Sequence, residues 1–269
     1  MTLTVPVPAL LPAPALQPDP ISVTFPDGFL GVVMLDTQFP RPAGDIGHPS
    51  AFGVPTRRCV ISGAWPDKIV QSGAGLRKGR VVTPILQLIR RLEHDGGKVI
   101  TTSCGFLVLL QKEMQAAVKV PVITSSLLQL PALLTLHGKV GVLTISSSKL
   151  GVEHLRAAGV PRERMADVVV QGVDAKSEFA TAILGNRASM DIEKAGADVL
   201  AAAVALKQRE PGLQCVVLEC TNMPPYREAI EAATGMKTWA LIDDARLTKP
   251  WRVPDAPQQF LQARCLDGC

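Results

Sequence analysis

The chain has 269 residues, enough for one large or two medium domains of about 100 to 200 residues each. Hydrophobic residues make up 47% and charged residues 19%, which excludes a wholly disordered chain and a charge-rich coiled coil. A formal charge of +4 with 4% aromatic residues gives no electrostatic or stacking basis for binding nucleic acid. We therefore expect a compact α/β protein with no nucleic-acid partner.

The first twenty residues contain six prolines and neither lysine nor arginine. A secretory signal needs a basic region and an unbroken apolar run, so this segment does not qualify. We expect residues 1–24 to be flexible and residues 256–269 to form a tail. No stretch reaches the roughly 20 apolar residues of a membrane helix, so a cytoplasmic protein with no membrane partner is expected.

The six cysteines are expected to be free thiols, because the chain is not a small secreted domain. They are Cys59, Cys104, Cys215, Cys220, Cys265 and Cys269. No pair has CxxC spacing and no histidine lies in a zinc-finger arrangement, so no metal site is predicted.

An apolar run at 28–35 predicts a buried first strand, which Asp36 and Thr37 end. A long loop at 38–66, rich in proline and glycine, follows it, with a possible strand at 59–64. Ordered loops of this length in compact domains are usually functional. The glycine-rich stretch at 72–79 lacks the spacing of a phosphate-binding loop and is expected to be a loop.

Helices and strands alternate from residue 83 onward. Apolar spacing and short β-branched runs predict helices at 84–94, 105–118, 125–137, 149–158, 176–184, 191–209, 224–234 and 243–251, and strands at 98–103, 120–124, 139–145, 167–171, 213–219 and 238–242. Such alternation favours parallel sheets covered by helices on both faces. Two α/β lobes fit the length, and we expect one to comprise 25–130 with 225–255, the other 131–224.

Two cysteines follow apolar strands in similar surroundings, Cys104 in VITTSCGF and Cys220 in VVLECTNM. Each lies between a strand end and a helix start, where open α/β sheets bind ligands. Amides and the helix dipole at that position are expected to lower the pKa of a thiol and to hold a carboxylate. Two such thiols across a cleft suit proton transfer at a carbon acid. For either cysteine alone, structural burial is the alternative.

These motifs resemble those of the aspartate/glutamate racemase superfamily, which also contains hydantoin racemases, maleate isomerases and arylmalonate decarboxylases. The resemblance rests on TSCGF around Cys104, ECTNMPPY around Cys220 and LDT at 35–37, and it runs from about Gly28 to about Trp251. It implies two pseudo-symmetric lobes with the active site in the cleft between them. It also implies a homo-oligomer and a reaction that needs neither pyridoxal phosphate nor metal nor another cofactor.

The resemblance assigns a role to each candidate site residue. Cys104 and Cys220 would be the acid/base thiols, and Thr221 would bind the substrate carboxylate. The other expected substrate-binding residues are Asp36, Thr37, Ser103, Gly105, Thr144, Ser147 and Asn222. A solvated strand end is the alternative for Asp36, and helix capping is the alternative for Ser147.

The sequence departs from glutamate racemases beside both cysteines. Gly105 and Phe106 stand where those enzymes carry Asn-Thr, Asn222 stands in place of histidine, and Glu219 stands in place of glycine. Strand alternation would point Glu219 away from Cys220, so a structural salt bridge is expected for it.

The sequence therefore predicts a cofactor-independent amino-acid racemase or epimerase, an isomerase, acting on a small carboxylate-bearing substrate. A maleate-type cis/trans isomerase with a covalent cysteine adduct is the first alternative. An arylmalonate-type decarboxylase is less favoured, because those enzymes work with the second-half cysteine alone. A non-catalytic dicarboxylate-binding relative is the alternative that the missing asparagine and histidine favour.

Overall fold

The computed structural model describes residues 25–78 and 80–251. The expected flexible segment at 1–24 and the expected tail at 256–269, with Cys265 and Cys269, lie outside the described residues.

Two parallel four-stranded sheets organise the described chain, with strand orders β2-β1-β3-β4 and β6-β5-β7-β8. The strands are β1 (Phe29–Leu35), β2 (Thr56–Ile61), β3 (Gly97–Thr102), β4 (Val122–Ile123), β5 (Val140–Thr144), β6 (Val168–Gly172), β7 (Cys215–Leu218) and β8 (Lys237–Trp239). The central strands β1, β5 and β7 are buried throughout, as expected for parallel sheets with both faces covered. The predicted α/β class with two lobes of matching strand order is confirmed.

Helices connect the parallel strands along the chain. They are α1 (Pro66–Ile69), α2 (Gly73–Lys78), α3 (Val82–His94), α4 (Gln111–Ala117), α5 (Leu130–His137), α6 (Val152–Ala157), α7 (Glu178–Leu184), α8 (Ile192–Arg209), α9 (Arg227–Thr234) and α10 (Ala245–Thr248). Short 3-10 helices precede α4 and α5, at Gly105–Leu110 and Ser126–Gln129. The expected loop at 72–79 is largely helical instead, because the fully buried Leu76 anchors α2 in the core.

The last part of the chain divides differently from the expected lobes. We expected residues 225–255 to complete the first lobe, but β8 pairs with β7 in the second sheet. The chain then returns to the first lobe, where Leu241 and Leu247 pack with Val32 and Val99 in a core cluster on the first sheet. The first lobe is therefore completed by apolar residues that follow β8, and not by β8 itself.

The carboxyl ends of β3 and β7 meet between the two sheets. The hydroxyl of Thr221, just after β7, donates to the carbonyl of Ser103, just after β3, at 2.7 Å. Ser126 Oγ donates to the Leu218 carbonyl at 2.8 Å. These buried bonds join the lobes and bring the two predicted cysteines to one place.

Candidate active site

A cavity lies between the carboxyl ends of the two sheets, and about 350 Å³ of empty space lies within it and in the open solvent at its mouth. Both predicted thiols, Cys104 and Cys220, line it. Its apolar wall consists of Leu35, Phe39, Val70, Phe106, Ile145 and Ile183. The cavity is therefore a small, mostly apolar chamber with two thiols on its wall.

Cys104 lies in extended conformation between β3 and the 3-10 helix that begins at Gly105. Burial and the nearby Glu219 raise the pKa of its thiol to about 12, although the backbone amides of Phe106 and Leu107 and the charge of Arg41 act in the opposite direction. The helix-start amides predicted from the sequence are present. The predicted lowering of the pKa is wrong, because burial outweighs them.

Cys220 is held as a neutral thiol. Burial and the charge of Glu219 raise its pKa well above the ordinary value. Its Sγ donates to Asn222 Oδ1 at 3.5 Å, and Asn222 Nδ2 donates in turn to the carboxylate of Asp45. Because Asp45 accepts from the amide nitrogen, the amide oxygen is left facing Cys220, where it accepts the S–H proton.

Glu219 lies on the cavity wall and is 1% exposed. Its carboxylate accepts from Thr144 Oγ1 at 2.7 Å and from the backbone amide of Ile145. Burial raises its pKa to about 7. The prediction of a structural salt bridge for Glu219 is wrong, because Glu219 has no ion-pair partner among the described residues. The alternation argument fails because β7 ends at Leu218, one residue earlier.

Glu219 is also packed against Gly105. A Cβ added to Gly105 would lie 3.0 Å from Glu219 Cδ and closer still to Glu219 Oε1 and its carbonyl oxygen. The two departures from glutamate racemases, glycine at 105 and glutamate at 219, are thus in direct contact. The carboxylate occupies space that a side chain at 105 would need.

Two residues of the long loop complete the site, and the sequence analysis missed both. Arg41 lines the cavity, and its guanidinium donates to Asp45 at 2.7 Å and to Thr37 Oγ1 at 2.9 Å. Asp45 is fully buried and also accepts from the Gly47 amide at 2.7 Å. The available signal was an arginine and an aspartate four residues apart in a loop already expected to be functional.

The remaining predicted site residues divide into three groups. Those that line the cavity are Thr37, Ser103, Gly105, Thr221 and Asn222. Thr144 lies behind the wall and holds Glu219. Asp36 and Ser147 are not on the cavity wall: Asp36 accepts from the Gly63 amide at 2.7 Å, and Ser147 is exposed because the chain turns outward after β5.

Among residues 25–78 and 80–251, no three His, Cys, Asp or Glu side chains are arranged to hold a metal ion. No helix within these ranges has the length and apolar character needed to cross a membrane. The expected cytoplasmic location, homo-oligomeric state and independence of cofactors stay predictions.

Similarity to known proteins corrects the predicted activity. The chain is 30% identical over 223 residues to a dimethylsulfoniopropionate lyase of Durusdinium sp. clade D, covering 80% of this chain and 72% of that protein. It is 27% identical over 231 residues to dimethylsulfoniopropionate lyase 7 of Emiliania huxleyi (strain CCMP1516), covering 79% of this chain and 64% of that protein, slightly less than two thirds of its length. The predictions of an amino-acid racemase and of the isomerase class are wrong, because these curated relatives are lyases.

The predicted superfamily is confirmed by a match to a family model. A glutamate racemase isoform from Bacillus anthracis aligns with a TM-score of 0.48 at 16% identity, over 78% of this chain and 76% of that chain. Residues 74–247, which include both cavity cysteines and Glu219, match the family model described as Asp/Glu/Hydantoin racemase. With a match over this much of its length, the chain belongs to the Asp/Glu/Hydantoin racemase family.

Proposed function

We propose that this protein is a lyase that cleaves dimethylsulfoniopropionate by β-elimination. The observation that carries the proposal is the pair of buried thiols, Cys104 and Cys220, on the wall of one apolar cavity that also holds the guanidinium of Arg41. We take the identity of the proposed substrate from the names of the similar proteins of Durusdinium and Emiliania.

The reaction is the chemistry of a carbon acid with a leaving group. A thiolate takes a proton from the carbon next to the carboxylate, and the electron pair of that C–H bond forms a double bond to the neighbouring carbon. The C–S bond breaks with both of its electrons going to sulfur. The products are acrylate and neutral dimethyl sulfide, and the proton stays on the thiol.

Arg41 is the group that would bind the substrate carboxylate. Asp45 and Thr37 fix its guanidinium at the cavity wall, and these two bonds use only part of its five N–H donors. A planar guanidinium is suited to bidentate carboxylate binding. It would also stabilise the negative charge that grows on the carboxylate as the neighbouring carbon loses its proton.

Cys104 is the better candidate for the base. The amides of Phe106 and Leu107 and the charge of Arg41 favour its thiolate, whereas among the described residues only the backbone amide of Asn222 does so for Cys220. Cys220 instead has its S–H directed at Asn222 Oδ1, an acceptor that favours the neutral thiol. A bound sulfonium cation adds positive charge to the cavity and so lowers the pKa of Cys104 from its unliganded value.

The test measures both products from freshly reduced protein and dimethylsulfoniopropionate. Dimethyl sulfide in the headspace, by gas chromatography, and acrylate, by proton NMR, should appear in equal amounts. Cys104→Ser should lower kcat by about 10³-fold or more, since serine is a far weaker base at neutral pH. Cys59→Ser, which replaces a thiol on β2 outside the cavity wall, is the matched control and should keep the parent rate. Folded parent protein that releases no dimethyl sulfide would exclude the proposed function, and a fully active Cys104→Ser variant would exclude the assigned base.

A further inference from the structure

Two side chains of opposite charge lie on the cavity wall, and they come from different lobes. Among the residues that the structure describes, Arg41 is the wall residue with a guanidinium and Glu219 the wall residue with a carboxyl group. Burial raises the pKa of Glu219 to about 7, and a cation bound beside it would favour its carboxylate form. Arg41 follows β1 of the first sheet, and Glu219 follows β7 of the second. A ligand that spans the cavity therefore meets a cation at one lobe and a carboxylate at the other.

The two charges are held apart by separate partners. Arg41 is fixed by Thr37 and Asp45, whereas Glu219 is fixed by the Thr144 hydroxyl and the Ile145 amide. No ion pair between Arg41 and Glu219 occurs in the described structure. Arg41 is already ion-paired with Asp45, so it offers a ligand its remaining N–H donors, whereas Glu219 has no cationic partner among the described residues.

The carboxylate of Glu219 lies beside Gly105, a position of the cavity wall that has no side chain. Glu219 Oε2 accepts from Thr144, while Oε1 lies against Gly105, which itself lines the cavity. Glycine at 105 is what leaves this room. Among the described residues Oε1 accepts no side-chain hydrogen bond, and it lies beside Gly105 on the cavity wall.

The polar groups nearby do not suit a ligand that needs hydrogen-bond acceptors. Asn222 Oδ1 accepts from Cys220, Ser103 Oγ accepts from the Leu35 amide, and Thr37 Oγ1 accepts from Arg41. An ammonium group carries three N–H donors and needs several free hydrogen-bond acceptors. A methylated onium group has no N–H donor, so it needs only apolar walls and a negative charge nearby. The surrounding wall is largely aliphatic and aromatic.

From these observations we infer that the cavity selects a zwitterion, a carboxylate with a methylated onium cation two carbons away, and that Glu219 is the residue that recognises the cation. The inference rests on the proposed function for the spacing of the two charges, and it adds a residue that determines substrate specificity. Glu219 acts by binding charge, and it is not required to move a proton.

The test compares two ligands of the same shape that differ in charge. 3-(Trimethylammonio)propanoate, a zwitterion, has a cationic head group and is called the cationic ligand below. Its counterpart is the anion 4,4-dimethylpentanoate, which has carbon in place of nitrogen and therefore an uncharged head group. Calorimetric titration should show the cationic ligand binding at least about tenfold more tightly to the parent protein, because a desolvated charge pair is worth that much or more. NMR of the ligand after each titration verifies that it is intact.

Glu219→Gln should reduce that ratio to about one, since glutamine keeps the shape and an acceptor for Thr144 but removes the charge. Arg41→Gln is the matched control: it weakens both ligands alike, because both carry a carboxylate, and it leaves the ratio unchanged. If the two ligands bind the parent protein equally, the inference is overturned without any variant. An affinity ratio that stays at about ten in Glu219→Gln would overturn it as well. A tenfold ratio in protein that releases no dimethyl sulfide would instead uphold the selectivity and reject the lyase.

Discussion

The contact between Gly105 and Glu219 gives the sharpest test of the site's architecture. In Gly105→Ala the new Cβ would lie 3.0 Å from Glu219 Cδ and closer to two oxygens of the same residue. Carbon atoms pack best at about 3.5 to 4.0 Å, so Glu219 or the start of the 3-10 helix must shift by at least about 0.5 Å. One of the two oxygens belongs to the backbone, which yields less readily than a side chain.

The expected cost follows from two opposing effects. Overpacking of a filled core costs about 1 to 3 kcal/mol, and replacing glycine by alanine returns about 0.4 to 1 kcal/mol by restricting the unfolded chain. Gly105 has no positive φ, so the backbone conformation itself adds no strain. We expect a net loss of about 1 to 2 kcal/mol of unfolding free energy. We also expect a rate reduction of about 10²-fold, because both catalytic candidates adjoin the displaced residues.

Urea unfolding and dimethyl sulfide release measure the two effects. Gly53→Ala is the control, since a Cβ there meets no atom within 4 Å, and the effect on the unfolded chain alone should make it about 0.4 to 1 kcal/mol more stable than the parent. The double variant Gly105→Ala/Glu219→Gly removes the clash of the new Cβ with the Glu219 side chain but keeps the clash with the carbonyl oxygen of residue 219. It should therefore recover only part of the unfolding free energy that Gly105→Ala loses. A Gly105→Ala protein as stable and as active as Gly53→Ala would refute the packing argument.

Three further predictions concern charge and placement. The pKa of Glu219 is about 7 in the folded protein against 4.5 for an unperturbed carboxyl, so the stability contributed by its neutral form below pH 4.5 is lost as the pH rises through 7. Relative to Glu219→Gln, the parent should therefore lose roughly 2 to 3 kcal/mol between pH 5 and pH 8 in urea unfolding; parallel pH curves would contradict this. Arg41→Lys cannot keep the bonds to Thr37 and Asp45 while binding a carboxylate, and in steady-state assays it should raise KM about tenfold and also lower kcat, because Arg41 stabilises the charge that grows on the carboxylate; an unchanged KM would contradict this. Ser147→Ala should leave kcat/KM within about twofold, and a tenfold loss would place Ser147 in the site after all.

The positions of the two thiols could be predicted from the sequence because they depend on local pattern. Cys104 and Cys220 each follow an apolar strand, one in each sheet, and parallel sheets bind ligands at the carboxyl ends of their strands. The same reasoning could not give the ionisation of the thiols. Amides near a strand end are visible in a sequence, but the extent of burial, which decides the pKa, depends on packing across both lobes.

The charged residues of the site could not be predicted because their contacts are long-range. Asp45 meets Asn222 across 177 residues of sequence, and no periodicity marks a loop position that becomes fully buried. Glu219 was misplaced for a different reason. Alternation holds only while a strand continues, and the end of β7 at Leu218 is not encoded by an obvious stop signal.

Glu219 should influence substrate binding and the rate of elimination in opposite directions, which separates charge recognition from proton transfer. A carboxylate beside the sulfonium stabilises the bound substrate more than the transition state, because the positive charge disappears as the C–S bond breaks. Glu219→Gln should therefore raise KM for dimethylsulfoniopropionate by about tenfold while kcat stays equal or rises, as measured by initial rates of dimethyl sulfide release over a wide substrate range. A tenfold or larger fall in kcat, with KM unchanged, would show instead that Glu219 takes part in proton transfer alongside Cys104.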